Sequence, residues 1–516
     1  MINAKNGLKA VFIIIAILAS AIFLDTVQNN MAMNTEINLA DCKVLYNLDG
    51  TIHSLDGNFN GVKVRSEQDG LKVIDTYREI FEVPENTYFR CVNIQESITG
   101  TSYLYVQNFE GFDISGTYVS LVTDQDTLTA ISMDINREIK SITMRRLTEK
   151  QINEAVFSKC DSETYQIQST QEIIVNNRLV YSVYVVNNRV FNLDDMRLFV
   201  DAATKEVKTE RQMADFFYYD ADRNSQGKVS TLSYGGVEYL FNESRGISVF
   251  RMTEETTWPL EEQLYGDYVG VQNLSSTEDE LAIAAYKNLI DSYDWYEERY
   301  GRESYDNKGS DILCLVGVDA IQDNAAYWNS FNIFLVGEVN KYDKAPAVFL
   351  DVIAHEYTHA VFKSITGECL IRNGETEGIH EAYADIFGCL IDGDWIIAEG
   401  IKEGKALSDP SGSGIKLVKK RHYPERYKDE YWSYSDGHIN GMLLTKTVYA
   451  MLQHGFTEED IADIWYQSMF YGYSDNSTYL TVRYNVEKAA RALGYTEEQI
   501  KVLNSLFEEI GITTTA

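Results

Sequence analysis

Apolar and polar positions change their rhythm three times along the chain. In the front half they alternate with a period of two. Thr101–Gln107 and Leu179–Val186 carry the β-branched and aromatic residues expected of half-buried strands. A helical period interrupts them at Glu67–Phe81 and Thr148–Phe157. Residues from about 40 to 212 therefore read as two small α+β modules, parting near Lys140–Arg146. Leu198–Val207 reads as a closing strand and turn, and the polar Lys208–Arg211 as a linker. Residues 215–340 are again strand-rich, with one long helical pattern over Ser276–Tyr300. From Val348 the period becomes helical almost throughout. The spacing predicts helices over Val348–Thr366, Gly378–Ile391, His438–His454, Thr457–Phe470, Leu480–Leu493 and Glu497–Ile510.

The first residues follow a different pattern. Lys5 and Lys9 precede an unbroken apolar run, Ala10–Leu24, closed by Asp25. As a helix it would span about 22 Å, short of a hydrocarbon core of about 30 Å. With the small residues Ala19 and Ala21 it fits a secretory signal over residues 1–30, an uncleaved anchor being the alternative. Composition narrows the partners. With 45 basic against 78 acidic residues, the formal charge of −33 opposes binding to nucleic acid and to anionic lipid. The six cysteines form no CxxC pair, so a thiolate zinc knuckle is not expected and buried thiols are.

Six of the seven histidines fall between 355 and 454, where the chain turns helical. Two of them bracket His355-Glu356-Tyr357-Thr358-His359. Histidines at i and i+4 lie one above the other on a helix, so both imidazoles can reach one zinc ion. Glu356, about 100° round the helix, is placed to take a proton from water at that ion. A catalytic zinc site wants three protein ligands and one open position. In Gly378–Gly388, Glu381 and Asp385 share one face of a largely apolar helix. Buried carboxylates need a cation or donors. Glu381 as third ligand and Asp385 as acceptor from a ligand histidine satisfy both.

HEYTH followed about twenty residues later by GIHEAYADIFG resembles the thermolysin family of secreted neutral zinc endopeptidases, as does the downstream SDGHIN around His438. The resemblance covers about 215–516 and implies Glu381 as third zinc ligand, Asp385 behind a ligand and His438 as the group that stabilises the oxyanion. Asn324–Asn329 is similar to the edge-strand segment that pairs with substrate, implying contacts from Asn324 and Ala326. Val352 and Ile397 match positions lining an apolar pocket after the scissile bond. Asp351, Asp392, Asp394 and Glu399 match calcium ligands, and the resemblance implies one calcium. The front half resembles the two-part propeptide of these zymogens, a fungalysin/thermolysin-type module followed by a PepSY-like one.

The sequence departs from that family at several positions. His380 stands where Asn is usual, Lys405 where an arginine grips the substrate carbonyl, and Ala325 where a substrate-binding Asn is expected. Ser433 stands where an acid usually orients the histidine, with Asp436 two residues before His438. The auxiliary tyrosine would fall near Leu370 or Ile371. The expected architecture is α+β: a signal or anchor (1–30), propeptide modules (31–145 and 146–212), a β-rich catalytic lobe (213–350) and a helical lobe opened by the HExxH helix (351–516). The expected product is a secreted, self-processed, monomeric zinc endopeptidase acting on peptides or proteins and bound at first by its own propeptide. The alternative is a catalytically impaired zinc-binding homologue acting as an extracellular binding protein.

Overall fold

The computed structural model describes residues 42–47, 49–139, 146–163, 165–187, 196–211, 232–234, 237–252, 269–271, 279–329, 332–338, 349–367, 374–397, 405–407, 423–434 and 436–514. The run Ala10–Leu24 lies outside them. Among the described residues no helix is long and apolar enough to cross a membrane. The protein is α+β, and the chain divides into two compact units, residues 1–110 with 118–139 and residues 111–117 with 140–516.

In the first unit an antiparallel sheet runs in the order β1 (Cys42–Tyr46), β2 (Ile52–Gly57), β7 (Thr127–Asp134), β6 (Tyr118–Asp124), β4 (Thr101–Phe109), β3 (Thr87–Glu96). Helix α1 (Glu67–Thr76) buries Val73 and Ile74 in a core with Leu55, Tyr105, Leu121 and Ile131. The helical pattern expected as far as Phe81 ends at Thr76. Tyr77, Ile80 and Phe81 are still buried, but through turns closed by the bond from the Val83 N–H to the Arg78 carbonyl. An apolar period thus outlasted the helix that it resembled.

The second unit begins with β5 (Phe112–Ile114), which lies parallel to β8 (Tyr165–Val175). Antiparallel β9 (Arg178–Asn187), β10 (Met196–Asp201) and β11 (Val207–Arg211) follow. Helix α2 (Glu149–Val156) starts on a reciprocal Thr148–Gln151 capping box. The stretch Lys208–Arg211, expected as a linker, is most of β11, with Lys208 opposite Phe199 and Thr209 opposite Leu198. Among the described residues β11 is the last strand of this sheet, a position that suits a polar sequence.

Beyond it, β12 (Leu232–Tyr234), β13 (Val237–Tyr239) and β16 (Gly270–Val271) form a small sheet. A second sheet runs β14 (Phe241–Asn242), β15 (Ile247–Arg251), β17 (Ile312–Val316), β19 (Ile333–Val336), β18 (Ala325–Trp328). Its middle pairs are parallel and β18 is antiparallel to β19 at the rim. Their near-continuous apolar sequences match burial on both faces. Helix α3 (Glu280–Tyr300) is capped by the Asp279 side chain and stopped by left-handed Gly301.

The helical part holds α4 (Leu350–Thr366), α5 (Thr376–Asp392), α6 (Gly437–Gln453), α7 (Glu458–Ser468), α8 (Tyr479–Ala492) and α9 (Glu497–Glu509). Thr457 and Thr496 begin α7 and α9 with reciprocal capping boxes, which explains why sequence spacing places these starts so closely. Helix α4 is buried on nearly every side. Tyr357 stacks between Tyr296 and Phe334, and the Tyr296 hydroxyl meets Thr358 Oγ1 at 3.0 Å. The buried Arg302 guanidinium binds the Tyr305 carbonyl and the Ser364 and Tyr466 hydroxyls, tying the end of α3 to α4 and α7.

Small residues set the helix spacing. A Cβ on Gly388 of α5 would lie 2.8 Å from the Asp351 carbonyl oxygen of α4. A Cβ on Gly441 of α6 would lie 3.1 Å from both Glu381 Cβ and the Gly378 carbonyl oxygen of α5. Alanine at 388 would gain helix propensity, but the obstructing atom is backbone and cannot rotate away. Gly388→Ala is therefore expected to destabilise the fold by about 1–3 kcal/mol, read as a lower midpoint in thermal unfolding.

Candidate metal centre

These close crossings put the predicted residues in one buried place. His355 and His359 lie one turn apart on α4, their rings edge to face and their Nε2 atoms 3.0 Å apart. Glu381 of α5 reaches between them, with Oε2 at 3.5 Å from His355 Nε2 and Oε1 at 3.6 Å from His359 Nε2. All three are buried, and their ligand atoms lie within 4.8 Å of one another. Bonds of about 2.0–2.1 Å arranged tetrahedrally put ligand atoms roughly 3.3 Å apart. The three separations bracket that figure, so the donor set fits zinc. Two imidazoles and one carboxylate would supply three of zinc's four ligands, with water or substrate as the fourth.

Around this set the supporting contacts are specific. Asp385, one turn along α5, brings Oδ1 to 3.0 Å from His355 Nδ1, which fixes the ring with Nε2 toward Glu381 and His359. Glu356 is buried beside the ligands, and its Oε2 accepts the Tyr327 N–H at 2.7 Å. The strand β18 thus orients the carboxylate. Asn324 is buried just before β18, and Ala326 is buried within it. Lys363 reaches from α4 to the Asn329 carbonyl and to Asn332 Oδ1, fixing the turn after β18.

His438 is the second residue of α6, and its Nδ1 lies 2.5 Å from Glu381 Oε2. It enters through the same carboxylate that holds the histidine pair together. The loop before it is gripped by Asn440. Its Oδ1 accepts the Ser433 N–H at 2.9 Å, while its Nδ2 donates to the Ser433 and Gly374 carbonyls, each at 2.6 Å. The Asn of the HIN motif is thus a clamp.

Val352 is buried on α4, one turn before the ligand pair. Ile397, also buried, lies in β20 (Ile396–Ile397), where its register partner is Lys405 of β21 (Lys405–Ala406). Two positions 8 residues apart in sequence therefore face each other across one short ladder. Asp351 is buried at the start of α4, its Oδ1 accepting the Val352 N–H. Asp394 accepts the Ile396 N–H, Asp392 ends α5, and Glu399, Leu370 and Ile371 lie outside the described residues. Burial first, then the carboxylates of Asp351, Asp385, Asp394 and Asp392, pushes the Cys389 thiol well above the usual range.

Sequence reasoning passed over the Tyr327 backbone, the Asn440 clamp and a carboxylate at Glu377 whose Oε2 accepts the Gly437 N–H at 3.1 Å. All are contacts between distant segments, although Asn440 and Tyr327 stand inside motifs already noticed.

The thermolysin metallopeptidase catalytic-domain model matches residues 220–363, and the thermolysin metallopeptidase alpha-helical-domain model matches residues 370–512, together more than half of the chain. The chain belongs to the thermolysin metallopeptidase family. Neutral protease B of Bacillus subtilis is 30% identical over 300 residues, covering 53% of this chain and 54% of its own. The chain thus spans about half the length of curated relatives of this kind. Bacillolysin of Brevibacillus brevis is 24% identical over 483 residues, covering 85% of this chain and 88% of its own. Among solved structures, the precursor of protealysin from Serratia proteamaculans aligns with a TM-score of 0.43 at 20% identity, over 55% of this chain and 90% of that one.

His380, where the thermolysin family pattern usually has Asn, does not join the ligand group. Its ring packs edge-on against Phe362 at 4.6 Å, and its centroid is 6.4 Å from that of His359. His380→Asn is accordingly expected to retain one zinc per chain by metal analysis, whereas Glu381→Ala should lose most of it.

Proposed function

We propose that this chain is a zinc endopeptidase made as a self-processed zymogen and exported. The observation that carries the reading is the convergence of His355, His359 and Glu381, with Glu356 next to His355 on α4 and His438 against Glu381. Zinc, when bound, polarises the scissile carbonyl and makes water a nucleophile at neutral pH. Glu356, held by the Tyr327 N–H, removes the proton from the attacking water and delivers it to the leaving nitrogen. His438 donates to the oxyanion that develops on the carbonyl oxygen. The rim strand β18 supplies backbone for an extended peptide, with Asn324 and Ala326 at its substrate contacts. Val352 and Ile397 border the pocket after the scissile bond, so a bulky apolar residue is preferred there, and Lys405 binds the substrate carbonyl.

Residues 31–145 and 146–212 form the propeptide in this reading. Strand β11 ends at Arg211, and cutting just after it would spare the sheet. The match of Asp351, Asp392, Asp394 and Glu399 to the family's calcium ligands supports one calcium held by their carboxylate oxygens. The catalytic part works as a monomer outside the cell.

Two variants test the reading. Glu356→Gln keeps size and helix but removes the base. Expressed as the full chain, it should bind zinc and accumulate uncut, while the wild type yields a fragment beginning near residues 208–220, as followed by mass spectrometry of pure preparations. Equal cutting of both would point to an outside protease, and no cutting of either to a non-catalytic homologue. His438→Ala should lower peptide turnover by about 10²–10³ with zinc content unchanged.

A further inference from the structure

Helix α6 carries His438 on its first turn, yet that turn has no acidic residue, and the N-cap Asp436 makes no side-chain capping bond. The N–H of Gly437, the first helical residue, instead donates to Glu377 Oε2 at 3.1 Å from the neighbouring helix α5. A carboxylate on a helix N-terminal N–H is charge-assisted and favoured by the helix dipole. Glycine is required there, because a Cβ on Gly437 would strike the Glu377 side chain and backbone.

Glu377 stands four residues before Glu381, one turn away on the same face of α5. The carboxylate anchoring the start of α6 and the carboxylate meeting His438 Nδ1 at 2.5 Å therefore come from one rigid element. We infer that Glu377 is a positioning residue for His438, doing across the helix interface what a capping side chain within α6 does not do. Asn440, on the same first turn, ties α6 to Ser433 and Gly374, and the Gly437 contact adds a tie to α5. The inference deepens the peptidase reading and rests on it for its kinetic consequence.

The test uses the full chain, incubated identically as wild type, Glu377→Met and Glu377→Gln. Methionine keeps the volume and loses the acceptor, while the glutamine amide oxygen still accepts the Gly437 N–H. Glu377→Met should retain one zinc and a KM within about twofold, and lose about 10–100-fold in kcat, the scale of a small misplacement of a catalytic group. Glu377→Gln should restore most of that loss. The Gly437 amide should exchange with solvent faster in Glu377→Met than in Glu377→Gln or wild type. Wild-type kcat in Glu377→Met, or a glutamine variant as impaired as the methionine one, overturns the inference. If the wild type cleaves no peptide, the peptidase reading fails by itself. The exchange measurement still decides whether Glu377 holds the start of α6, and equal exchange in all three chains would refute it.

Discussion

The close crossing of α4, α5 and α6 is the constraint on which the rest depends. Gly388 and Gly441 let the helix backbones approach more nearly than side chains would allow. That approach carries Glu381 in between His355 and His359 and brings His438 onto the same carboxylate. Burying two imidazoles and two carboxylates away from water is costly unless they hold one another or a cation. A divalent ion between His355, His359 and Glu381 would offset that cost, so the packing that defines the core also gathers a group able to hold a metal. The strand β18 joins the same arrangement by donating a backbone N–H to Glu356.

Much of this was legible in the sequence because it is local. Histidines at i and i+4, and Glu381 with Asp385 at the same spacing, need only a helix to share a face. The helix ends were legible where Thr148, Thr457 and Thr496 form capping boxes. Local spacing failed where tertiary contacts decide. Lys208–Arg211 looks like a linker because its residues are polar, and it is a strand because β10 offers it a partner. Tyr77–Phe81 keeps an apolar period after the helix has ended, since turns can bury the same side chains. The Glu377–Gly437 and Asn440–Gly374 contacts join segments tens of residues apart, and local spacing gives no partner for either side chain.

The departures from the family pattern read differently once placed. His380 fills a gap against Phe362 and does not disturb the ligand set. Ser433 contributes its backbone to the Asn440 clamp. Lys405 is brought opposite Ile397 by strand pairing, so a position far from the HExxH motif is tied to one expected to line the pocket. These changes leave the buried group of His355, His359 and Glu381 intact.

The most direct test of the central claim is a zinc titration of the metal-free full chain while peptide hydrolysis is followed. The account predicts that activity rises in proportion to zinc and levels off at one equivalent per chain, as a site of His355, His359 and Glu381 with one open position requires. Hydrolysis that proceeds without zinc, or tight binding of one equivalent that produces no hydrolysis, would contradict it.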